Sequence, residues 1–411
     1  MVTKVLYLAT TFPRFSETFL QREVQFLLDQ PEIDLDVRSL WGGPGIFETS
    51  SGTQKIKTDT IRSLPSALSR IPFWIFKSPK PFQKTLGFLL NRKAPMNHNW
   101  LENNWGFAWA MKYATEINRS ANRPDLIHAT WGTMPAAAAY ALHHFTGIPY
   151  SMEAHAYDVY KHGGDWFLKE KADLARFVRS STIATQQDLL QRHQPDNSEK
   201  YCLIRRGIQL PQKPPLLRKI QSPIGLISVG RLVEKKNLTL LIQIFLDLAN
   251  RNVPFSADII GTGPKEDSLR NEVQRTGLDK HVTFHGRRDY HYVANAYQNA
   301  DALLFTGKPS NNGDRDGLPN VIAEAMSIGL PVLTTPILGA LEAIEHEKTG
   351  FVLPFDQTAG WCETIQSLAE HPNLQNIRQN ALEWIHQNFS IEINGAQLLQ
   401  RLLKASGDRT A

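Results

Sequence analysis

The segment ALLFTGKPSNNGDRDGLPNVIAEAMSIGLPVLTT, residues 302 to 335, contains two short apolar runs joined by a loop and a helical pattern. The runs ALLF (302–305) and PVLTT (331–335) have the length and composition of buried strands. Pro319 suits the first turn of a helix, which is predicted over residues 319–328. A strand, a helix and a second strand in this order form the βαβ unit of a parallel sheet.

The same alternation extends along the whole chain and predicts the α/β class. In the first half the predicted strands are KVLYLAT (4–10), LDVRSL (35–40), DLIHAT (125–130), YSMEAH (150–155), STIATQ (181–186) and YCLIRR (201–206). In the second half, before the segment quoted above, they are GLISVG (225–230), SADIIG (256–261) and VTFHG (282–286).

The alternation is interrupted once, which predicts two tandem Rossmann-like, doubly wound domains. Residues 207–222 are rich in proline and are predicted to form a linker between domain 1–206 and domain 223–387. A helix over about 388–411 is expected to pack back on the first domain. Ligands of such sheets bind beyond the carboxyl ends of the strands, so we expect the two domains to face a central cleft that holds the site.

The bulk composition limits the class of protein. The chain has 411 residues, of which 42% are hydrophobic and 21% charged, values that are typical of a soluble globular protein with two or three domains. Its two cysteines, Cys202 and Cys362, lie in apolar runs and are predicted to be buried thiols in a reducing compartment. The N-terminus lacks the pattern of a signal peptide, and no apolar run is long enough to cross a membrane, so we expect a cytoplasmic location.

Positive charge is concentrated between Lys55 and Arg123, where 12 basic residues face only three acidic ones. Aromatic and aliphatic residues are interspersed among the lysines. Two interpretations are open: a solvated insertion packed on the first domain, or a surface that contacts anionic lipid headgroups at the inner face of a membrane or an acidic acceptor. No recognised nucleic-acid module accompanies the charge, so nucleic acid is not expected as a partner.

The stretch SVGRLVEKKN, residues 228–237, places two cations after a predicted strand. The strand ends at Gly230, Arg231 and Lys236 flank a short loop, and a helix is predicted to start near Asn237. Fixed cations beside a helix N-terminus form a good clamp for a diphosphate. The alternative is that both side chains are simply solvated at the surface.

The next stretch, IIGTGPKED, residues 259–267, resembles part of a dinucleotide-binding turn. Gly261 and Gly263 permit close backbone approach before a helix, but Glu266 stands where the third glycine of the NAD fingerprint would be. A tight strand-to-helix turn without a nucleotide explains the same glycines.

The motif DRDGLPN allows two interpretations. Asp314 and Asp316 form a D-x-D pair that could hold a metal ion, whereas Asp316 and Glu324 flank the start of a helix. In the second interpretation the two carboxylates accept hydrogen bonds from the hydroxyl groups of one sugar. We favour the second interpretation, and with it no metal or other cofactor.

Two stretches of the first domain supply further candidates. His155 is expected at the carboxyl edge of its sheet, where it is either an active-site group or a satisfied structural histidine. In TTFPRFSETFLQREV, residues 10–24, Ser16 is the candidate N-cap of a helix whose N–H groups would point into the cleft.

Taken together, these motifs resemble a known family. GRLVEKKN, IIGTGP, VTFHGRR and DGLPNVIAEAMSIGLPV, in this order and spacing, resemble the carboxyl domain of the retaining family-4 glycosyltransferases of GT-B fold. TTFPRFSETFLQREV and MEAHAYDVY resemble the amino-terminal domain of the exopolysaccharide and colanic-acid branch of that family. The resemblance covers nearly the whole chain except residues 41–115.

The resemblance implies transfer of a sugar from a nucleotide diphosphate donor, such as UDP-glucose, to a polysaccharide or lipid-linked acceptor, with retained anomeric configuration and without a metal. It assigns the diphosphate to Arg231 and Lys236, the donor sugar to Asp316 and the neighbourhood of the transferred sugar to His155. It also places Arg287 at the base, Glu324 at the ribose and the segment Gly317, Leu318, Pro319 and Asn320 at the sugar and phosphate. Gly230, Gly261 and Gly263 are further candidates for donor contacts, from their positions after predicted strands. Ser16 and Glu17, at the predicted start of the helix after the first strand, are candidates for acceptor or phosphate contacts.

Two departures from the family pattern leave alternatives open. Asp316 replaces the commoner glutamate, and Asn237 replaces a glycine, although asparagine tolerates the left-handed backbone better than most residues. The competing hypotheses are another GT-B nucleotide-sugar enzyme such as an epimerase, a non-catalytic nucleotide-sugar-binding protein, and an NAD-dependent oxidoreductase. Glu266 and the cations at 231 and 236 argue against the last of these.

Overall fold

A computed structural model describes residues 2–50, 52–85, 97–211, 215 and 217–407 of the chain. The strands are β1 (Thr3–Ala9), β2 (Ile33–Ser39), β3 (Ile46–Thr49), β4 (Gly52–Lys55), β5 (Lys57–Thr58), β6 (Leu126–Ala129), β7 (Tyr150–Glu153), β8 (Val178–Ser180), β9 (Tyr201–Leu203), β10 (Ile224–Val229), β11 (Phe255–Ile260), β12 (Val282–Gly286), β13 (Ala302–Phe305), β14 (Val332–Thr334) and β15 (Phe351–Val352).

The helices of the first half are α1 (Thr18–Leu28), α2 (Leu64–Leu68), α3 (Ile71–Lys77), α4 (Pro79–Thr85), α5 (Asn97–Arg119), α6 (Met134–Thr146), α7 (Ala156–Tyr160), α8 (Leu168–Leu174) and α9 (Ile183–His193). Those of the second half are α10 (Leu238–Asn250), α11 (Glu266–Arg275), α12 (Tyr290–Asn299), α13 (Asn320–Met326), α14 (Ala359–Ser367), α15 (Leu374–Asn388) and α16 (Ile391–Gly407). Short 3-10 turns include Ile61–Ser63 and Glu234–Lys236.

The chain divides into two compact units. Unit 1 comprises Met1–Gly207 and Ile391–Ala411, and unit 2 comprises Ile208–Ser390. The division after Gly207 falls at the start of the proline-rich stretch, and the return to unit 1 occurs between α15 and α16. Helix α16 packs against α1 and against the central strands of unit 1.

Unit 1 is built on a parallel sheet with the strand order β5-β2-β1-β6-β7-β8-β9. Its two faces are covered by separate apolar cores, one contributed largely by α5 and α6 and the other by α1 and α16. A small antiparallel hairpin, β3–β4, stands apart from this sheet. Because apolar helices cover both faces, the strands are buried on both sides.

Unit 2 repeats this plan with the strand order β12-β11-β10-β13-β14-β15, again with parallel pairing throughout. Helices α10, α11 and α14 cover one face and α12, α13 and α15 the other. The predicted fold class, two Rossmann-like α/β domains, is therefore confirmed. The prediction that Cys202 and Cys362 are buried thiols is confirmed as well.

One predicted strand is wrong. STIATQ (181–186) is not a strand, because residues 183–193 form α9 and the strand β8 lies earlier, at Val178–Ser180. The hydroxyl of Thr182 accepts a hydrogen bond from the backbone N–H of Thr185 at 3.3 Å, which makes Thr182 the N-cap of α9. Every other predicted strand overlaps an observed one.

Within the described residues, none of the helices combines the length and the apolar character that crossing a bilayer requires.

Candidate functional site

The sheet of unit 2 has a topological switch point between β10 and β13. The chain winds outward from β10 through β11 to β12 on one side, and from β13 through β14 to β15 on the other. The loops after β10 and β13 therefore diverge, which leaves a crevice beyond the carboxyl ends of these strands. The predicted residues Gly230, Arg231 and Lys236 lie in the first of these loops, and Asp316 lies in the second.

The loop after β10 is shaped by two residues of positive φ. Gly230 has φ +152°, and its N–H donates to the Ile260 carbonyl at 2.9 Å. Asn237 has φ +48° and ψ +45°, immediately before α10. The prediction that asparagine would support the left-handed backbone at this position is confirmed.

Gly261 and Gly263 serve a packing contact between neighbouring loops. A Cβ atom at position 261 would lie 1.9 Å from the Gly230 carbonyl oxygen, and one at position 263 would lie 2.4 Å from the Leu232 carbonyl oxygen. The close approach of the loop after β10 therefore explains why both positions hold glycine, and a bound nucleotide is not needed to explain them. The geometry favours the tight strand-to-helix turn over the NAD fingerprint.

Two lysines join the loops after β10 and β13. Lys236 Nζ lies 2.7 Å from Asp316 Oδ2, and Lys235 Nζ lies 3.0 Å from Asp314 Oδ1 and 3.4 Å from Asp316 Oδ1. The Lys236 ammonium also lies 4.6 Å from the centre of the Phe305 ring. Both carboxylates of the D-x-D pair are therefore paired with ammonium groups.

The protonation states follow from this pairing. Burial lowers the pKa of Lys236. The charge of Asp316 raises it in part, whereas the nearby charges of Lys235 and Arg231 lower it further. Burial opposes ionisation of Asp316, but Lys236 and Lys235 outweigh it and lower the pKa of the carboxyl group. Asp316 is thus held as a carboxylate, and Lys236 is an ammonium that is easier to deprotonate than a solvated lysine.

Arg231 provides an exposed cation at the same place. It is solvent-exposed, and within the described residues its guanidinium takes part in no ion pair. Its charge is close enough to lower the pKa of Lys236. A small cavity beside these residues is lined by Ser228, Val229, Gly230, Arg231, Leu232, Lys236, Leu238, Ile259, Phe305 and Thr306.

The segment before α13 presents backbone N–H groups. Pro319 occupies the N-cap position of α13 (Asn320–Met326), which is shorter than the predicted 319–328. In the described part of the chain, the N–H groups of Gly317 and Leu318 donate to no protein acceptor. A Cβ atom at Gly339 would lie 2.1 Å from the Gly317 carbonyl carbon, so Gly339, which sequence analysis missed, leaves room for this segment.

Two other predicted residues lie on neighbouring elements. Glu324 is half-buried in the second turn of α13. Arg287 is exposed and follows Gly286, whose carbonyl accepts the N–H of Gly261 at 2.8 Å. The structure therefore brings Gly230, Lys236, Asp316 and the two glycines after β11 into one connected set, and places Arg287 beside it.

In unit 1, His155 lies at the carboxyl edge of the sheet but outside the strand. Strand β7 ends at Glu153, and His155 occupies the N-cap position of α7, where its N–H donates to Asp158 Oδ2 at 2.9 Å. Its side chain is nearly buried. Both ring nitrogens have partners, Ser181 Oγ at 3.1 Å for Nδ1 and the Glu153–Arg206 pair for Nε2.

The prediction that Ser16 caps the helix of residues 18–28 is wrong. The N-cap position of α1 is held by Glu17, whose carbonyl accepts the N–H of Leu20 at 3.0 Å. The N–H of Glu17 donates to the Arg14 carbonyl at 2.9 Å, which places Ser16 inside a turn that precedes the helix. The side chain of Glu17 pairs with Arg14 at 3.1 Å and does not cap the helix.

His155 belongs to a buried network of charged groups that sequence analysis missed. Its other members are Tyr7, Glu23, Glu153, Arg179 and Arg206. Arg179 Nη1 lies 2.6 Å from both Glu23 Oε2 and Glu153 Oε1. Arg206 lies 3.0 Å from Glu23 and 2.5 Å from Glu153. Two carboxylates and two guanidinium groups thus neutralise each other at the edge that carries His155.

The network fixes the state of the imidazole. Burial, and then the charge of Arg206, lower the pKa of His155 to about 4, although Glu153 acts in the opposite direction. The ring is therefore neutral at neutral pH. Nε2 lies 2.8 Å from Arg206 Nη2 and 2.9 Å from Glu153 Oε2, and Nδ1 lies 3.1 Å from Ser181 Oγ, so the surrounding network occupies both nitrogens of the neutral ring.

Comparison with known proteins adds independent findings. Residues 214–384, which lie within unit 2, match the family model described as glycosyl transferases group 1. The chain is 28% identical to the putative colanic acid biosynthesis glycosyltransferase WcaL of Escherichia coli over 207 residues, which are 50% of this chain and 51% of WcaL. It is 31% identical to the amylovoran biosynthesis glycosyltransferase AmsK of Erwinia amylovora over 38% of this chain and 39% of AmsK.

The chain thus spans about half the length, or less, of the curated relatives that it matches. The resemblance to colanic-acid-type glycosyltransferases is nevertheless confirmed over this region.

Solved structures match over nearly the whole chain. Anabaena HepE in complex with UDP and glucose superposes with a TM-score of 0.69 at 18% identity and covers 98% of this chain and 99% of HepE. Sucrose-phosphate synthase from Thermosynechococcus elongatus gives a TM-score of 0.72 at 15% identity, with 98% and 100% coverage. At these identities the similarity concerns the fold, and the predicted GT-B fold is confirmed.

Proposed function

We propose that the chain is a retaining glycosyltransferase that transfers a sugar from a UDP-sugar, such as UDP-glucose, to a polysaccharide or lipid-linked saccharide in the cytoplasm during exopolysaccharide biosynthesis. Support comes from the group 1 domain at residues 214–384 and from the names of its colanic acid and amylovoran relatives. Structures of the similarly folded HepE with UDP, glucose and UDP-glucose support the type of donor.

The observation that carries the proposal is the arrangement of cations at the switch point of unit 2. Transfer breaks the bond between the anomeric carbon of the sugar and a phosphate oxygen, and the nucleoside diphosphate leaves with the electron pair. Arg231, exposed beside the cavity, and Lys236, held by Asp316, would neutralise this developing charge. The new bond forms to an acceptor hydroxyl, whose proton is released.

The same arrangement supports a reaction that needs no metal. The carboxylates of Asp314 and Asp316, the residues suited to hold a divalent cation, are paired with Lys235 and Lys236. Positive charge for the leaving group would then come from side chains of the protein.

The remaining donor contacts follow from the elements on which they lie. The N–H groups of Gly317 and Leu318 and the carboxylate of Asp316 would meet the sugar and phosphate oxygens, Pro319 and Asn320 would hold this segment at the start of α13, and Glu324 would contact the ribose. Arg287 would lie beside the base. In unit 1, His155 would border the transferred sugar, and Ser16 and Glu17 the acceptor or phosphate.

The proposal is tested by incubating the protein with a panel of nucleotide sugars and saccharide acceptors, with and without EDTA. We expect release of UDP coupled to a new glycoside of retained configuration, and activity that survives EDTA. Arg231→Ala and Lys236→Ala should each lower kcat by about 100-fold or more, since a preorganised charge on the leaving group is lost.

The matched control is Lys219→Ala, an exposed lysine of unit 2 outside the site, which should leave kcat unchanged. An epimerised donor would identify an epimerase instead. Donor binding without turnover would identify a nucleotide-sugar-binding protein, and activity that EDTA abolishes and Mn²⁺ restores would return the D-x-D pair to a metal-binding role.

A further inference from the structure

Helices α2, α3 and α4 form a small layer of unit 1 that is firmly attached on one side. Ala67, Trp74 and Phe82, one from each helix, are buried. The Trp74 indole N–H lies 3.0 Å from the Met111 carbonyl and 3.2 Å from Thr115 Oγ1, both in α5. One face of this layer therefore packs on the body of unit 1. The side chains on its other face point away from that body.

The opposite face is apolar and exposed. Phe76 is 87% exposed, and Ile61 63%, while Leu68, Phe73 and Ile75 are each exposed by more than 40%. On α3, Phe76 lies two residues after the buried Trp74, so it projects from the opposite side of the helix. Scattered exposed apolar residues are ordinary, but five within sixteen consecutive residues are a concentration of the kind that marks an interaction site.

The same layer is strongly cationic. Arg62, Lys77, Lys80 and Lys84 are exposed, and Arg70 is half-buried. No aspartate or glutamate occurs anywhere between residues 60 and 101. Lys80 and Lys84 lie four residues apart on the side of α4 that faces away from the buried Phe82, just as Phe76 on α3 faces away from the buried Trp74.

We propose that this basic apolar face, formed by Ile61, Leu68, Phe73, Ile75 and Phe76 with Arg62, Lys77, Lys80 and Lys84, docks onto the surface of an anionic phospholipid bilayer. Aromatic and aliphatic side chains enter the boundary between headgroups and acyl chains, while the lysines contact the phosphates. This surface is the part of the basic stretch 55–123 that is suited to a membrane.

The combination of features selects lipid over other partners. A nucleic acid would use the cations, and a base could stack on Phe76, but it gives no role to the exposed aliphatic side chains of Ile61, Leu68 and Ile75. A second copy of the same face would oppose like charges, because the face contains basic residues and no acidic ones. A bilayer with anionic headgroups can accommodate the apolar side chains of this face and also pair with its basic ones.

The test is co-sedimentation of the full chain with vesicles of phosphatidylcholine alone or mixed with phosphatidylglycerol. No sugar nucleotide is present, so the outcome is independent of the proposed glycosyl transfer. We expect binding to the mixed vesicles that weakens with added salt, and little binding to phosphatidylcholine alone. Lys80→Glu combined with Lys84→Glu should lower the partition coefficient by about 20-fold or more, since each cation near such a surface contributes about fivefold.

Phe76→Ser should lower the partition coefficient by about tenfold through the loss of inserted apolar area. The matched controls are Lys219→Glu combined with Lys280→Glu, which changes the net charge equally, and Phe355→Ser, whose side chain is 47% exposed in unit 2. Both controls should bind as the unaltered chain does.

Three results would overturn the proposal: no binding to mixed vesicles at low salt, equal weakening by the charge-reversal pair and by its control, or self-association that Phe76→Ser abolishes while vesicle binding is absent. Thermal unfolding of each variant distinguishes lost docking from lost structure.

Discussion

Asp158 is a carboxylic acid that unit 1 buries completely. One oxygen, Oδ2, accepts the N–H of His155, and within the described residues Oδ1 has no hydrogen-bond partner. Burial raises the pKa of this group to about 7, while the backbone N–H groups of His155 and Gly132 only partly oppose the shift. At pH values between its unfolded and folded pKa, the native state holds a proton that the unfolded chain has released.

This proton gives a signed dependence of stability on pH. Because the folded pKa of Asp158 is raised, its favourable contribution is fully present below the unfolded pKa of 3.8 and is lost as the pH rises through about 7. At neutral pH the residue therefore reduces the stability of the fold. The hydrogen bond from the His155 N–H to the Asp158 carboxyl group is therefore kept in spite of this loss of stability.

Asp158→Asn removes the ionisable group but keeps a carbonyl oxygen for the His155 N–H. We expect the variant to unfold at a higher urea concentration than the unaltered chain at pH 7.5. The gain in the free energy of unfolding should shrink by about 1.4 kcal/mol for each pH unit between pH 7 and pH 4. Urea titrations at several pH values measure this slope.

The control for this measurement is Asp196→Asn, which removes a carboxylate from an exposed position of the same unit and so makes the same change in charge outside the buried site. A gain that is constant with pH would mean that Asp158 does not titrate differently in the folded and unfolded states.

At the scale of elements, the buried network joins parts of unit 1 that lie far apart in sequence. Glu23 comes from α1, Glu153 from the end of β7 and Arg179 from β8, and Arg206 follows β9. Burial opposes ionisation of Glu153, but Arg179 and Arg206 outweigh it and hold its pKa well below the usual range. Each guanidinium group pairs with both carboxylates, so the four charges are neutralised only when all four are present. The network therefore holds α1, β7, β8 and the segment after β9 together at the edge that carries His155.

Glu153→Gln should therefore destabilise unit 1 severely. The substitution leaves two buried guanidinium groups with one carboxylate, and removal of one partner from a buried pair costs about 3 to 5 kcal/mol. Urea unfolding measures the loss. Glu116→Gln is the comparison, because Glu116 pairs with Arg38 at 2.8 Å but is 44% exposed, and its loss should cost less than about 1 kcal/mol. Equal effects of the two substitutions would show that burial of the network does not contribute.

The same network shows where sequence analysis stops. The positions of most strands and of the loops after β10 and β13 could be predicted from the sequence, because apolar runs, glycines and prolines act locally. The partners of Glu153 could not, since they come from positions 23, 179 and 206 and no local pattern connects these. STIATQ was misassigned because threonine favours strands, whereas here Thr182 caps a helix. Gly339 was missed for a similar reason, since its role depends on contact with Gly317, far away in sequence.

At the scale of the whole molecule, each unit carries a different kind of polar edge. Unit 2 presents exposed Arg231, the Lys236–Asp316 pair and backbone N–H groups at its switch point, which suit an anionic ligand that enters and leaves. Unit 1 presents a neutral imidazole whose ring nitrogens are already bonded, in a network without net charge. A charged nucleotide should therefore be bound by unit 2, and unit 1 should contribute little to its affinity.

Hydrogen exchange of the full chain with and without UDP tests this division. UDP at about 100 times its Kd stabilises the state that binds it by about 2.7 kcal/mol, which slows exchange by up to about 100-fold where opening destroys the site. We expect the largest slowing in residues 230–237 and 306–320 of unit 2, and its loss in Lys236→Ala. If residues 153–160 of unit 1 were protected most strongly instead, the neutral edge around His155 would be the nucleotide site, and the cations after β10 would need another role.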